Sequence, residues 1–211
     1  WVDKYGERIY EQLKSLGVSC DWTRKKFTLD EGPSNSVVNT FVNLYKEGFI
    51  YRGERIVNWC IRCSTALSDL EVKYVNQEGQ LYHISYSLVD SDDSVVIATT
   101  RPETMLGDTA VAINPTDERY LDLHGKFIEL PIVGRKLPII TDDVVDPMYG
   151  TGILKVTPGH DPHDFEISQR HEIDVLNVMR PDGTMDEKTG DYFGLTVEKA
   201  RTQILSDFGP C

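Results

Sequence analysis

Gly150-Thr151-Gly152-Ile153-Leu154-Lys155-Val156-Thr157-Pro158-Gly159-His160-Asp161-Pro162-His163-Asp164-Phe165 runs from a turn through a strand into a helix start. Two glycines make the turn, a short apolar strand carries Lys155 and Thr157, and Pro158-Gly159 ends it. Lys155 and Thr157 lie two apart and so share one strand face, with Leu154 and Val156 on the other. Together they offer donors and an acceptor to a bound hydroxyl, carbonyl or phosphate. The plainer alternative is an outward-facing polar face of a barrel strand. Beyond the strand, Asp161 suits an N-cap, Pro162 the first helical position and Asp164 the third. Both aspartates favour the positive end of a helix. A strand leading into a helix N-terminus, with ionisable groups at the junction, is a good place to hold a small polar ligand.

Outward from this stretch the pattern is mixed. Tyr5, Ile9, Leu13 and Leu16 recur at helical spacing, with Gly17 as a stop. A second helix is expected from Ser34 to about Glu47, with Gly48 at its C-cap. From Phe49 the period changes. Strands are expected near 51–58, 70–75, 80–88, 94–99, 109–112, 127–133, 137–140, 152–157 and 173–179, and helices after Asp161 and from Thr196 to about Ser206. So many short strands suggest a closed or nearly closed barrel. The predicted class is α+β: a barrel core of about six strands decorated by helices, preceded by a helical hairpin, with domains at 1–48 and 49–211.

The chain has 211 residues, 40% hydrophobic, enough for one substantial domain or a domain with a helical appendage. It holds no apolar run long enough to span a bilayer. With no initiator Met and a helical pattern already running at Trp1, it reads as a piece of something longer. A net charge of −12 argues against a protein whose main task is gripping duplex nucleic acid. It leaves room for a site for one nucleotide or one chain end. Cys20, Cys60, Cys63 and Cys211 form no regular disulfide framework, which points to a reducing compartment. Cys60-Ile61-Arg62-Cys63 has zinc-ligand spacing, but a second pair is missing.

The His160-Asp161-His163-Asp164 group invites a metal reading. It is disfavoured because Pro162 stiffens the turn and the aspartates are drawn to backbone N–H groups. No metal is therefore expected. A second cluster, Ala98-Thr99-Thr100-Arg101-Pro102-Glu103-Thr104, follows the apolar run Val95-Val96-Ile97. Its hydroxyls can bind a ribose or a carbonyl, and Arg101 can meet a phosphate. An ordinary turn opened by Pro102 is the alternative. Tyr149 can stack on a base or sit at a barrel rim.

At these residues a resemblance enters. Thr99-Thr100-Arg101-Pro102-Glu103-Thr104-Met105-Leu106-Gly107-Asp108, followed by Gly150 through Phe165-Glu166-Ile167, closely resembles the editing domain of the valyl-tRNA synthetases. That domain is the large connective insertion of a class I catalytic fold. Trp59-Cys60-Ile61-Arg62-Cys63-Ser64-Thr65-Ala66-Leu67-Ser68-Asp69 looks like the strand leading into the insertion, and residues 1–48 like the helices before it. Isoleucyl and leucyl editing domains are similar around the Gly-Thr-Gly turn but usually differ at Lys155 and Thr157. Signatures of the His-Ile-Gly-His and Lys-Met-Ser-Lys-Ser types are absent, so this chain is not expected to activate valine or charge tRNA.

The resemblance implies hydrolysis of threonyl-tRNA(Val). A pocket shaped for valine rejects isosteric threonine poorly, and the valyl enzyme is itself the standing example of that limit. Carried over residue by residue, Asp164 is expected to bind the α-ammonium with Asp161 in support, and Lys155 and Thr157 to read the threonine hydroxyl. Arg101 is expected near the terminal nucleotide, Thr99, Thr100 and Thr104 around the ribose and ester, with Glu103 beside them, and Tyr149 against adenine. His160 is the one candidate general base. The resemblance implies no cofactor for editing, ATP and Mg2+ belonging only to the synthetic site of the parent enzyme. The implied partners are the acceptor end of tRNA(Val) and the rest of the synthetase, with no membrane, in the cytoplasm. Two other readings stay open: a module that binds an acceptor end without turnover, and a metal-dependent hydrolase.

Overall fold

The computed structural model describes residues 1–209, the side chain of Asp3 excepted, so Cys211 lies outside the described residues. The chain divides into two compact units, Trp1–Glu54 and Arg55–Cys211. The first holds two helices, α1 (Val2–Ser15) and α2 (Glu31–Lys46). Gly17 and Gly48 follow them with φ of 78° and 81°, the left-handed conformation that ends a helix cheaply only at glycine. Helix α2 begins three residues before the expected Ser34. Gly32 and Pro33 lie in its first turn, where a missing N–H costs nothing.

The second unit opens with a two-stranded ribbon, β1 (Trp59–Cys60) against β2 (Thr65–Ala66). Cys63 closes its turn by donating its N–H to Cys60 Sγ at 3.4 Å. Six further strands form one sheet: β3 (Tyr82–Leu88), β4 (Ser94–Thr99), β5 (Ala110–Ile113), β6 (Phe127–Glu129), β7 (Lys136–Thr141) and β8 (Ile153–Val156). Their order is β4-β3-β6-β7-β5-β8. Neighbours are antiparallel except for β5 and β7, which are parallel. The two end strands β4 and β8 pack on each other, so the sheet curls into a nearly closed six-stranded barrel. The expected class is the observed one.

The barrel interior is filled by Tyr86, Ile97, Val111, Ile113, Ile128, Leu137 and Ile139, all at most 2% exposed. The other face of β5 and β8 carries Ala110, Ala112 and Val156. Helix α3 (Pro162–His171) covers it with Ile167. Helix α4 (Val197–Asp207) adds Ala200 and Ile204 to the main core. Small alanines on β5 leave room for α3 to approach, which is why that strand is buried on both faces.

Three expected strands are not formed. Residues 51–58 carry no sheet pairing, and their side chains are mostly exposed. In 70–75, Leu70, Tyr74 and Val75 are at least 81% exposed. Asp69–Glu71 is instead a 3-10 turn closed by a capping box between Ser68 and Glu71. In 173–179, Val178 is buried, yet its N–H is taken by His160 Nε2 and its carbonyl by the N–H of Asp186. With its backbone groups satisfied this way the segment needs no ladder.

Candidate active site

The strand–helix junction that opens the sequence reading lies where β5, β8 and the 3-10 segment Pro102–Gly107 meet. Register fixes which way its side chains face. Val111 pairs with Lys155 and Ile113 with Ile153, so Lys155 shares a face with three residues of the barrel core, Val111, Ile113 and Ile153. The alternative of an outward polar face does not hold, for the face is an inward one: Lys155 has 11% of its side chain exposed and Thr157 is 1% exposed.

A cavity of about 290 Å³ opens there. Lys155, Thr157 and Thr104 line it together with Asp161 and Asp164, and Thr99, Thr100, Arg101, His160 and exposed Tyr149 complete its walls. Ten of the eleven site residues expected from sequence therefore converge on one cavity. Glu103 does not line it. Glu103 is buried, with both carboxylate oxygens on Arg201 at 2.8 Å, and so ties α4 to the 3-10 segment. Burial alone would raise its carboxyl, but the Arg201 hydrogen bonds bring it below its ordinary value.

One wall is carboxylate. Asp161 caps α3, its Oδ1 accepting the N–H groups of His163 and Asp164 at 2.8 and 3.3 Å. Asp164, 6% exposed, accepts the Thr157 N–H on Oδ2 at 2.8 Å, which leaves its other oxygen for a ligand. Burial pushes the Asp164 carboxyl up to about 6, even with the Thr157 N–H and Lys155 pulling the other way.

Beside it, sharing Thr157, is a hydrogen-bonded cluster built on a residue that sequence reasoning gave no role, Asp108. It is fully buried. Its carboxylate accepts from Thr157 Oγ1 at 2.7 Å and from Tyr86 Oη at 2.9 Å, with Lys155 Nζ at 3.5 Å. Burial raises its carboxyl, against the pull of Lys155 and the two hydroxyls. Lys155 Nζ also donates to Thr104 Oγ1 at 3.0 Å and to Thr157 Oγ1. Arg135 donates to the carbonyls of Leu106 and Asp108 and pins the loop behind them.

His160 is a neutral wall residue. Burial, with Arg101 and Lys155 nearby, lowers its imidazole to about 4. Its Nε2 accepts the Val178 N–H at 3.0 Å, so the ring proton sits on Nδ1 and the basic nitrogen is occupied. Its carbonyl accepts from Arg101 Nη1 at 3.1 Å, which holds the guanidinium at the cavity edge. A second cavity of about 500 Å³ adjoins the first and shares Arg101 and His160. No helix of the described residues is long and apolar enough to cross a membrane.

Residues 1–199 match the model of tRNA synthetases class I (I, L, M and V), and the chain belongs to that family. Within the family it is similar to valine–tRNA ligases. It is 53% identical to that of Syntrophotalea carbinolica, and 52% to those of Clostridium perfringens and Thermotoga maritima, each over 98% of its length. The chain spans about a quarter of the length of those relatives, 23–24%. Among solved structures, the agnB2 LeuRS of Agrobacterium radiobacter K84, in a ternary complex with tRNA and LeuAMS, has the same fold. It matches with a TM-score of 0.50 at 17% identity, over 98% of this chain and 34% of that one.

Proposed function

We propose that this chain carries the proofreading site of a valyl-tRNA synthetase and hydrolyses threonine from mischarged tRNA(Val). The observation that carries the reading is the pairing, inside one cavity, of a carboxylate wall with a hydroxyl-and-ammonium wall. An aminoacyl ester of threonine has a matching pair of ends, an α-ammonium and a side-chain hydroxyl. Asp164, with a free oxygen and Asp161 one helical turn back, suits the ammonium. The Lys155, Thr157 and Thr104 cluster suits the hydroxyl. Arg101, Thr99, Thr100 and Tyr149 surround the side where the terminal nucleotide would enter.

In the reaction, water adds to the ester carbonyl and the bond to the ribose oxygen breaks. The released ribose oxygen takes the proton given up by the water and becomes a hydroxyl, and free threonine and tRNA(Val) leave. An aminoacyl ester is already activated, so holding it and a water in line supplies much of the rate. That suits a site in which His160 has its basic nitrogen occupied. The reading asks for no cofactor here, ATP and Mg2+ serving the synthetic site of the longer cytoplasmic enzyme. The occupied His160 nitrogen also suits a module that binds the acceptor end without turnover, and the rate separates the two.

The test is deacylation of threonyl-tRNA(Val) by the complete synthetase and by its Asp164→Ala and Lys155→Ala variants. Each substitution should slow hydrolysis at least a hundredfold, as expected when a group that positions the reacting ester is removed. Unchanged rates in both would show the site to be elsewhere, and tight binding of the acceptor end without turnover would favour the binding module.

A further inference from the structure

Counting donors and acceptors around Asp108 leaves one hydrogen-bond arrangement. Three donors converge on its carboxylate: Tyr86 Oη, Thr157 Oγ1 and Lys155 Nζ. The Lys155 ammonium and two hydroxyls converging on it fit an ionised carboxylate, which can only accept, so the Thr157 hydroxyl hydrogen points to Asp108. Lys155 has three N–H groups and three acceptors for them, on Thr104, Thr157 and Asp108. The Thr104 hydroxyl hydrogen is committed to the carbonyl of Arg101 at 2.9 Å. Every hydrogen on this wall is therefore spoken for. What remains toward the cavity is one lone pair each on the oxygens of Thr157 and Thr104.

We propose that Asp108 is a positioning residue that sets the polarity of this wall, so that Thr157 and Thr104 accept a hydrogen bond from a bound amino acid but cannot give one. The inference rests on the proofreading reading for the identity of the ligand and sharpens it. Lys155 then orients the two hydroxyls and does not itself touch the substrate hydroxyl. A ligand whose side chain donates satisfies the wall. An isosteric methyl, as in valine, buries two acceptors with no partner, the situation in which a polar site discriminates strongly.

The test uses the complete synthetase and its Asp108→Asn variant, which keeps shape but can donate to Thr157 and release its hydroxyl hydrogen. The selectivity for threonyl-tRNA(Val) over valyl-tRNA(Val) in deacylation should fall at least tenfold. Tyr86→Phe, which removes a partner of Asp108 without altering Thr157, should lower the melting temperature and keep the selectivity. Equal losses on both esters in Asp108→Asn, or an equal loss of selectivity in Tyr86→Phe, would overturn the proposal by reducing Asp108 to a structural role.

A second arm needs no variant. Amide-linked threonyl, valyl and 3-fluoro aminoacyl adenosines, the last unable to donate, are titrated calorimetrically into the wild type. The fluoro compound should bind like the valyl one and at least tenfold more weakly than the threonyl one. Binding equal to the threonyl compound would overturn the polarity assignment. Hydrolysis of neither ester by the wild type would refute the proofreading activity alone, because the binding arm, repeated with Asp108→Asn, still decides whether Asp108 sets the polarity of the wall.

Discussion

Asp164 is held by opposing forces, and they give it a pH signature of its own. Burial raises its carboxyl from the ordinary 3.8 to about 6. Between these values the folded chain keeps a proton that the unfolded chain has lost. The contribution of Asp164 to stability is therefore full at low pH and disappears as pH rises through about 6. Ligand capture runs the other way, since only the ionised form attracts an ammonium group. The kcat/KM for deacylation should accordingly fall as pH drops below about 6, while unfolding experiments show no loss of stability from this residue over the same range. A rate profile that is flat down to pH 5 would remove Asp164 from the ammonium role. That Asp161 caps α3 with Asp164 in its first turn, and that Lys155 and Thr157 share a face, was readable from local pattern, because cap positions and strand parity are local properties. Asp108 was not. It lies 49 residues from Thr157 in sequence, and nothing in Gly107-Asp108-Thr109 announces a buried carboxylate. The signal that could have found it is an acid ending a turn just before an all-apolar strand.

At the scale of elements, the strand–turn–helix unit of β8 and α3 was legible because every local rule agrees on it: glycines at the turn, an apolar strand, and Asp161-Pro162 at the helix start. The cap can be isolated from the chemistry. Asp161→Ala should cost about 1 kcal/mol, or roughly 2–4 °C in Tm, and Asp161→Asn, which retains a capping oxygen, should recover most of it. Thermal unfolding followed by circular dichroism measures both, and equal losses in the two variants would show that charge, not capping, is what Asp161 supplies to the fold. The strands expected at 51–58, 70–75 and 173–179 failed for a different reason. Apolar, β-branched composition marks a segment able to join a sheet, while pairing needs a free edge. In 173–179 the histidine at 160 and the N–H of Asp186 had already taken the backbone groups of Val178.

For the whole chain, the net charge of −12 sets the terms on which it meets nucleic acid. The cavity is small, and its two cations, Lys155 and Arg101, are matched by two carboxylates, Asp161 and Asp164, so phosphate contacts supply little of its binding energy. Deacylated tRNA(Val) should bind the isolated chain more weakly than micromolar at moderate salt, as read by fluorescence anisotropy. Micromolar or tighter binding would contradict this view of where the grip on tRNA lies. The barrel itself was foreseeable from the number of short strands. Its closure by β4 against β8 was not, because sequence spacing carries no record of which edges meet. The pairing of β5 with β8 bears on how the site comes into being. Thr109 donates its N–H to the carbonyl of Val156, extending the β5–β8 ladder to the point where Asp108 meets Lys155, 47 residues away in sequence. Half of the polar wall arrives on each of these strands. A chain in which that one pairing is open has no cavity at all, rather than a weakened one. The proposed specificity thus depends on closing a long loop, and opening of the ladder is expected to remove it.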